Sequence, residues 1–202
     1  MRTTWMRARS LGAGLVLAAM VAAGSAMAAE APQLADPQPA AAERKPGLAV
    51  RYYKSFFRLI EEFVERPTVD KGTPGEPLPM LNYKTSDGFV MTSDINIGVG
   101  ADISGFIHLD APGTYSFVAN SNDGFRLTIG DVKVLEDPNV HPDRYSNIAS
   151  LEVDETGWYA LHMLYFQRKG TATLELYWKP PGQEDADFVL VPAEAFTHIP
   201  EN

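Results

Sequence analysis

The chain has 202 residues, a formal net charge of −9 and no cysteine. This length corresponds to about one domain, and the hydrophobic share of 45% argues against wholesale disorder. The acidic balance argues against nucleic acid as a partner, because such binding needs a basic surface. Without cysteine the chain has no disulfide, no thiolate zinc site, no cysteine nucleophile and no acylated lipoprotein cysteine.

Residues 1–28 predict a secretory signal peptide. Three arginines within the first nine residues precede an uncharged apolar run over residues 11–23, and the triplet Ala26-Met27-Ala28 has the small-x-small form of a cleavage site. The alternative is a membrane anchor, but the run is shorter than the ~20 apolar residues that a spanning helix needs. We therefore expect cleavage after Ala28, no transmembrane segment in the mature chain, and a periplasmic or secreted protein.

Residues 29–46 predict a flexible tether. The segment is rich in alanine and proline and has almost no large apolar side chain, so burial cannot offset the entropy of ordering it. Two interpretations are open: a spacer that lifts the domain off a surface, or a remnant left after removal of the signal, which is the simpler one. The remaining residues, 47–202, are expected to form a single domain.

The first regular element of this domain is predicted to be one short helix. Apolar residues recur there at helical spacing, with charged residues between them, and they are Phe56, Leu59, Ile60, Phe63 and Val64. Pro67 is expected to end the helix, which would lie against the rest of the domain. Residues 72–79 contain three prolines and two glycines and are predicted to form a loop.

From Gly47 onward the apolar pattern has mostly a period of two, which is typical of half-buried strands. Alternating segments occupy residues 102–110, 114–120, 125–129 and 171–178. Residues 158–166 are apolar on both faces, apart from His162, which predicts a central strand covered on both sides. Turns rich in glycine, proline, asparagine and aspartate separate these segments. The sequence therefore predicts an all-β fold, an antiparallel β-sandwich or barrel.

Four motifs within these strands carry a family resemblance. In chain order they are Gly113-Thr114-Tyr115-Ser116-Phe117, Ser121-Asn122-Asp123-Gly124-Phe125-Arg126-Leu127-Thr128-Ile129, Gly157-Trp158-Tyr159 and Leu176-Tyr177-Trp178-Lys179-Pro180. The series resembles the protective-antigen fourteen-kilodalton (PA14) domain family over roughly residues 47–199. The resemblance implies a β-sandwich of the kind found in bacterial toxins, glycosidases, adhesins and yeast lectins.

The resemblance also implies a candidate ligand site. In lectin members of the family, an adjacent aspartate pair joined by a cis peptide binds Ca²⁺, and the ion holds sugar hydroxyls. By position, that pair would be Asn122 and Asp123, followed by Gly124. Asn122 keeps a carbonyl oxygen but lacks the negative charge that strengthens Ca²⁺ binding. The alternative is an ordinary turn, because asparagine, aspartate and glycine together are common turn chemistry.

Two further features are candidates for the same site. A Ca²⁺ ion takes ~6–8 oxygen ligands, so a neighbouring loop would have to contribute, and the oxygen-rich segment 136–143 offers Asp137 and Asn139. Its alternative interpretation is a loop held by its own Asp-Pro and His-Pro chemistry. Tyr145, just beyond it, would suit stacking on the face of a sugar.

These features favour an exported, non-catalytic binding module that is directed to carbohydrate and assisted by Ca²⁺. Its partner would be a glycan or another cell-envelope component. The alternative is a cell-envelope structural or protein-interaction domain with neither a metal nor a sugar ligand. A hydrolase is disfavoured, because the chain has no Gly-x-Ser-x-Gly elbow and nothing selects a pair of catalytic carboxylates.

Overall fold

A computed structural model describes residues 31–66, 70–86, 89–183 and 186–201. The predicted signal peptide and Pro67 lie outside these residues. Within them, no helix is long and apolar enough to cross a membrane.

Two antiparallel sheets make up the structure. The eight-stranded sheet contains β1 (Lys45–Pro46), β2 (Ala49–Lys54), β3 (Thr73–Pro74), β5 (Val99–Leu109), β7 (Phe125–Ile129), β8 (Val132–Asp137), β11 (Gly157–Gln167) and β14 (Phe196–His198). The six-stranded sheet contains β4 (Asn82–Thr85), β6 (Gly113–Asn122), β9 (Arg144–Tyr145), β10 (Ala149–Val153), β12 (Ala172–Lys179) and β13 (Val189–Leu190). A short helix, α1 (Ile60–Val64), and a 3₁₀ turn (Ala193–Ala195) complete the described elements. The all-β prediction is confirmed.

The strand order explains why β11 is apolar on both faces. The larger sheet runs β1-β14-β5-β11-β7-β8, with β2 also paired to β5, and the smaller sheet runs β10-β6-β12-β13, with β4 on β12 and β9 on β6. β11 pairs with β5 over its whole length and with β7 from Leu161 to Tyr165. The predicted central strand is therefore confirmed.

The core lies between the inner faces of the two sheets. In β6 the inward side chains are Tyr115, Phe117 and Ala119, each 0% exposed, as the period of two predicts. Leu176 and Trp178 of the neighbouring strand β12 lie beside them on the same inner face. The intervening residues of both strands therefore point to the opposite, outer face of the smaller sheet, which bears on the site described below.

The predicted helix is confirmed, although it spans only five residues. Ile60 and Phe63 are its buried residues, and the Phe63 ring lies 4.7 Å from that of Phe57, centroid to centroid. The predicted loop over residues 72–79 is only partly a loop, since Thr73–Pro74 form β3 against β2. Proline is tolerated there because β3 is an edge strand.

The prediction of a flexible tether over residues 29–46 is wrong for the described part of that segment. The backbone N–H of Gln33 donates to the Gly130 carbonyl (2.8 Å), and that of Ala35 donates to the Trp158 carbonyl (3.0 Å). The Gln38 side chain accepts from the Trp158 N–H (2.9 Å) and donates to the Trp158 carbonyl (3.0 Å). This segment covers the part of β11 that β7 leaves unpaired, and hydrogen bonds rather than apolar burial hold it there.

Candidate functional site

The Asn122–Gly124 turn crosses from one sheet to the other. It connects β6 of the smaller sheet to β7 of the larger one. Asn122 is 8% exposed and Asp123 is 3% exposed, so the corner is buried rather than presented to solvent. Gly124 is required by close packing, since a Cβ there would lie 2.5 Å from the Phe166 ring. The one cis peptide bond among the described residues is Asp36–Pro37, so the Asn122–Asp123 bond is trans.

The Asp123 carboxylate ties this corner to two other segments. One of its oxygens accepts the backbone N–H of His141 (3.1 Å), and the other accepts the backbone N–H of Arg168 (2.7 Å). The first bond reaches the loop between β8 and β9, and the second reaches the loop after β11. Hydrogen bonds from backbone N–H groups to a buried carboxylate are charge-assisted and therefore strong. Asp123 thus joins three segments that are distant in sequence.

Asn122 and Asp143 extend the same network. The Asn122 amide donates to one Asp143 oxygen (3.0 Å), while the other accepts from Thr173 Oγ1 (3.0 Å) and lies 3.1 Å from Lys84 Nζ. Burial alone would raise the pKa of Asp143, but the hydrogen bonds from Asn122, Lys84 and Thr173 outweigh it and hold that pKa below its ordinary value. The Tyr165 hydroxyl donates to the Asn122 carbonyl. Burial raises the pKa of this hydroxyl well above its ordinary value.

Asp137 and Asn139 are the two other residues predicted as Ca²⁺ ligands. The first is hydrogen-bonded to an arginine, and the second has an exposed side chain. Asp137 accepts two hydrogen bonds from the Arg144 guanidinium (2.8 and 2.7 Å), a bidentate pair. The Asn139 side chain is exposed, and its backbone pairs with Leu59. Three of the four residues predicted as metal ligands are therefore engaged in hydrogen bonds within the protein, and the fourth, Asn139, has an exposed side chain.

This arrangement does not fit a Ca²⁺ site. Such a site needs ~6–8 oxygens directed at one point, whereas Asp123 already accepts two backbone N–H groups and Asp137 is paired with an arginine. Across the described ranges, no three His, Cys, Asp or Glu side chains are arranged to hold a metal ion. The hydrogen bonds describe a structural corner, which agrees with the alternative interpretation of this turn.

Tyr145, by contrast, lies on an accessible surface and is 61% exposed. It borders a groove of about 450 Å³ on the outer face of the smaller sheet, which we call the aromatic groove. The residues lining it are Val118, Tyr145, Ser146, Ile148, Tyr177, Asp187 and Phe188. The rings of Tyr145 and Tyr177 have centroids 6.0 Å apart at an interplanar angle of 59°. Three aromatic rings and two aliphatic side chains thus form a concave surface open to solvent.

The strand register positions the floor of this groove. Tyr177 of β12 lies directly opposite Val118 of β6 on the outer face. Tyr145 follows from β9, where it pairs with Asn120. Burial, followed by the charge of Glu175, raises the pKa of Tyr177 to about 12.

Sequence reasoning identified Tyr145 but missed the other groove residues. The sequence does indicate an outward position for Tyr177. Side chains alternate along β12, so if Leu176 and Trp178 point inward, Tyr177 between them points outward. No comparable signal existed for Ile148 or Phe188, which belong to connecting segments. Only the folded chain brings these two side chains to the same groove.

A second cavity, of about 610 Å³, lies on the outer face of the larger sheet. Its charged side chains are paired with one another: His162 Nε2 lies 2.8 Å from Asp102 Oδ1, and Arg51 pairs with Glu201 at 2.6 Å. Its lining contains no phenylalanine, tyrosine or tryptophan. The aromatic groove is therefore the better candidate for binding a ligand with an apolar ring face.

Comparisons with known proteins support the fold and show the family. The PA14 domain family matches residues 79–189. Among solved structures, the PA14 domain of the MpAFP antifreeze protein is 19% identical and covers 83% of this chain and 99% of its own, with a TM-score of 0.65. No curated protein matches the sequence.

Two further solved structures are sugar-binding proteins by their descriptions. The Epithelial Adhesin 6 A domain from Candida glabrata, in complex with Galb1-3GlcNAc, is 13% identical and covers 86% of this chain and 95% of its own, with a TM-score of 0.64. The PA14 sugar-binding domain from an RTX adhesin is 12% identical and covers 76% and 98%, with a TM-score of 0.60. At these identities the likeness concerns the fold.

Proposed function

Because the chain belongs to the PA14 domain family, we propose that it is an exported, non-catalytic carbohydrate-binding module whose ligand surface is the aromatic groove. Export rests on the signal-peptide pattern of residues 1–28. The carbohydrate class rests on the groove and is supported by structural neighbours that are described as sugar-binding or sugar-bound.

The observation that carries this proposal is the exposed ring of Tyr145 beside Tyr177. The C–H face of a sugar ring is apolar and stacks on aromatic rings, while its hydroxyls need hydrogen-bonding groups close by. The groove provides both, since Asp187 and the two tyrosine hydroxyls accompany the apolar side chains of Ile148 and Phe188.

In this proposal, Ca²⁺ takes no part in sugar binding. For Ca²⁺ to assist at Asn122 and Asp123, the Asp123 carboxylate would have to release the backbone N–H groups of His141 and Arg168. Releasing them would leave buried donors without partners, which is costly. Sugar binding at the aromatic groove is therefore expected to be the same with Ca²⁺ or with a chelator.

A glycan microarray followed by calorimetric titration of the best-binding glycan tests the proposal. Tyr145→Ala should lower the affinity about threefold to tenfold, because one aromatic contact contributes ~0.5–1.5 kcal/mol. The matched control is Phe56→Ala, which removes a similarly exposed ring (57%) that does not line the groove. An array without signal, or equal affinities for wild type and Tyr145→Ala, would contradict the proposal. A silent array together with a stable protein partner would favour the protein-interaction alternative.

A further inference from the structure

The aromatic groove continues at both of its ends. On one side it shares Ile148 and Phe188 with a depression of about 180 Å³ that is also lined by Thr114, Ser116 and Lys179. We call this second depression the hydroxyl end.

On the other side, the aromatic groove shares Tyr145 and Ser146 with a depression of about 350 Å³. Glu136, Asp137, Arg144 and Asn147 complete its lining, and we call it the polar end. Tyr145 thus stands between the polar end and the aromatic groove. The three depressions form one continuous surface, because each neighbouring pair shares two residues.

The strand register gives the direction of this surface. Val118 pairs with Tyr177, and two residues further along the same strands Ser116 pairs with Lys179. These positions share the outer face because side chains alternate along a strand. From Val118 to Thr114 the floor extends for roughly 13 Å at ~3.3 Å per residue, and the polar end lies beyond Tyr145. The surface therefore runs parallel to β6 and β12.

The side chains change character along this line. Apolar and aromatic groups dominate the centre, whereas the hydroxyl end presents Thr114 and Ser116, and the polar end presents Arg144 and Asn147. Hydroxyls, amides and guanidinium groups supply the donors and acceptors that sugar hydroxyls need. A single sugar would fill only the centre and leave both ends unused.

Charge narrows the class of ligand. The chain carries a net charge of −9, and a protein field of that sign disfavours the approach of polyanions. At the polar end, the Arg144 guanidinium is already bonded to Asp137, so it does not provide a site for an acidic sugar. Over the three depressions, the acidic side chains of Glu136, Asp137 and Asp187 nearly balance the basic ones of Arg144 and Lys179, so the surface is suited to a neutral chain.

We propose that the polar end, the aromatic groove and the hydroxyl end form one cleft that binds an internal stretch of an extended, neutral polysaccharide, with the central sugar stacked at Tyr145 and Tyr177. This inference rests on the proposed function and specifies its ligand. It predicts that neighbouring sugars of one chain are contacted together, and that recognition does not require a chain end.

Calorimetric titration with oligosaccharides of increasing length, from monosaccharide to hexasaccharide, tests the inference. The probes are the cello-, xylo-, laminari- and galacto-oligosaccharide series, together with trisaccharides methylated at both ends. In the series that binds, affinity should rise about tenfold or more from monosaccharide to trisaccharide and then level off. The end-blocked trisaccharide should bind within about twofold of the unblocked one.

A substitution at the hydroxyl end distinguishes binding along the whole cleft from binding at its centre alone. Ser116→Leu fills that end, so it should weaken trisaccharide binding about threefold or more while leaving monosaccharide binding unchanged. Ser104→Leu is the matched control, since Ser104 is an exposed strand residue on the outer face of the larger sheet.

The outcomes distinguish this inference from the proposed function. Affinity that does not depend on chain length, loss of binding on end-blocking, equal effects of the two leucine substitutions, or tighter binding of polygalacturonate would each overturn the cleft while leaving sugar binding intact. Absence of binding in all four series, together with a silent glycan array, would overturn the proposed function itself.

Discussion

Replacing Asp123 with alanine provides the sharpest test of the structural role assigned to the Asn122–Gly124 corner. The side chain is 3% exposed and accepts backbone N–H groups from His141 and Arg168. Alanine would leave both donors without a partner, the His141 N–H in a buried position and the Arg168 N–H in a partly buried one. Each unsatisfied buried group costs ~1–3 kcal/mol, so we expect the free energy of unfolding to fall by about 2–6 kcal/mol.

Asp123→Asn should be destabilised less than Asp123→Ala. The asparagine side chain retains one carbonyl oxygen, so one of the two backbone donors keeps its partner, while the amide nitrogen faces the other. We expect a loss of about 1–3 kcal/mol. The matched control is Asp154→Asn, because Asp154 is an exposed acidic residue, and substitutions at such positions usually change stability by less than ~0.5 kcal/mol.

The measurement is urea unfolding of the mature chain, followed by tryptophan fluorescence and repeated with millimolar Ca²⁺ or with a chelator. A ligand that binds only the folded state stabilises that state by an amount set by the ratio of the free ligand concentration to its dissociation constant. A chain without a Ca²⁺ site should therefore give the same unfolding curve with Ca²⁺ and with a chelator. The reasoning fails if Asp123→Ala unfolds at the wild-type midpoint. It fails equally if Ca²⁺ stabilises wild type and Asp123→Ala loses that stabilisation, because Asp123 would then be a metal ligand.

Three other predictions follow from neighbouring features of the structure. Gly124→Ala should cost about 1–3 kcal/mol of stability in a urea titration, because its methyl group would press against the Phe166 ring. The pKa of Asp143 is lowered in the folded state, so its stabilising contribution is complete above the unfolded pKa of ~3.9 and is lost as pH falls through the folded value. In urea unfolding measured from neutral to acidic pH, the midpoint of Asp143→Asn should therefore fall less steeply than that of the wild type. Gln38→Ala should speed hydrogen exchange at the Trp158 amide, which loses its acceptor, while global stability changes by less than ~1.5 kcal/mol because the side chain is exposed. An unchanged Trp158 exchange rate would contradict the role assigned to Gln38.

The sandwich itself could be predicted because its long strands alternate regularly. Tyr115, Phe117 and Ala119 are spaced by two and all lie in the core, so the period of the sequence and the burial of the structure agree. The two-residue strands β3 and β9 could not be predicted in this way. They exist because the tertiary fold brings them against β2 and β6, and no periodicity can develop over two residues.

The site was harder to predict than the fold, for two physical reasons. An Asn-Asp-Gly turn has the same local chemistry whether it is exposed or buried, so the sequence around Asn122 did not reveal that two distant backbone segments cover it. The segment that carries Gln38 was misjudged for a related reason. Its composition shows how little apolar surface it can bury. It does not show that the Gln38 side-chain amide makes the two hydrogen bonds to the Trp158 backbone that a neighbouring strand would otherwise make.

These findings bear on where a ligand can bind in this chain. A carboxylate that joins three segments cannot also release its hydrogen bonds to hold an ion without loosening those segments, so the Asp123 corner is suited to stability rather than to recognition. The outer face of the smaller sheet has the opposite character. Tyr177 is fixed there by the β6–β12 ladder, and Tyr145 directly follows Arg144, which is held by its two bonds to Asp137. Aromatic rings carried on rigid elements lose little conformational entropy when a ligand binds. The corner therefore holds the sandwich together, while the groove presents aromatic rings on paired strands, as the proposed binding of a sugar chain requires.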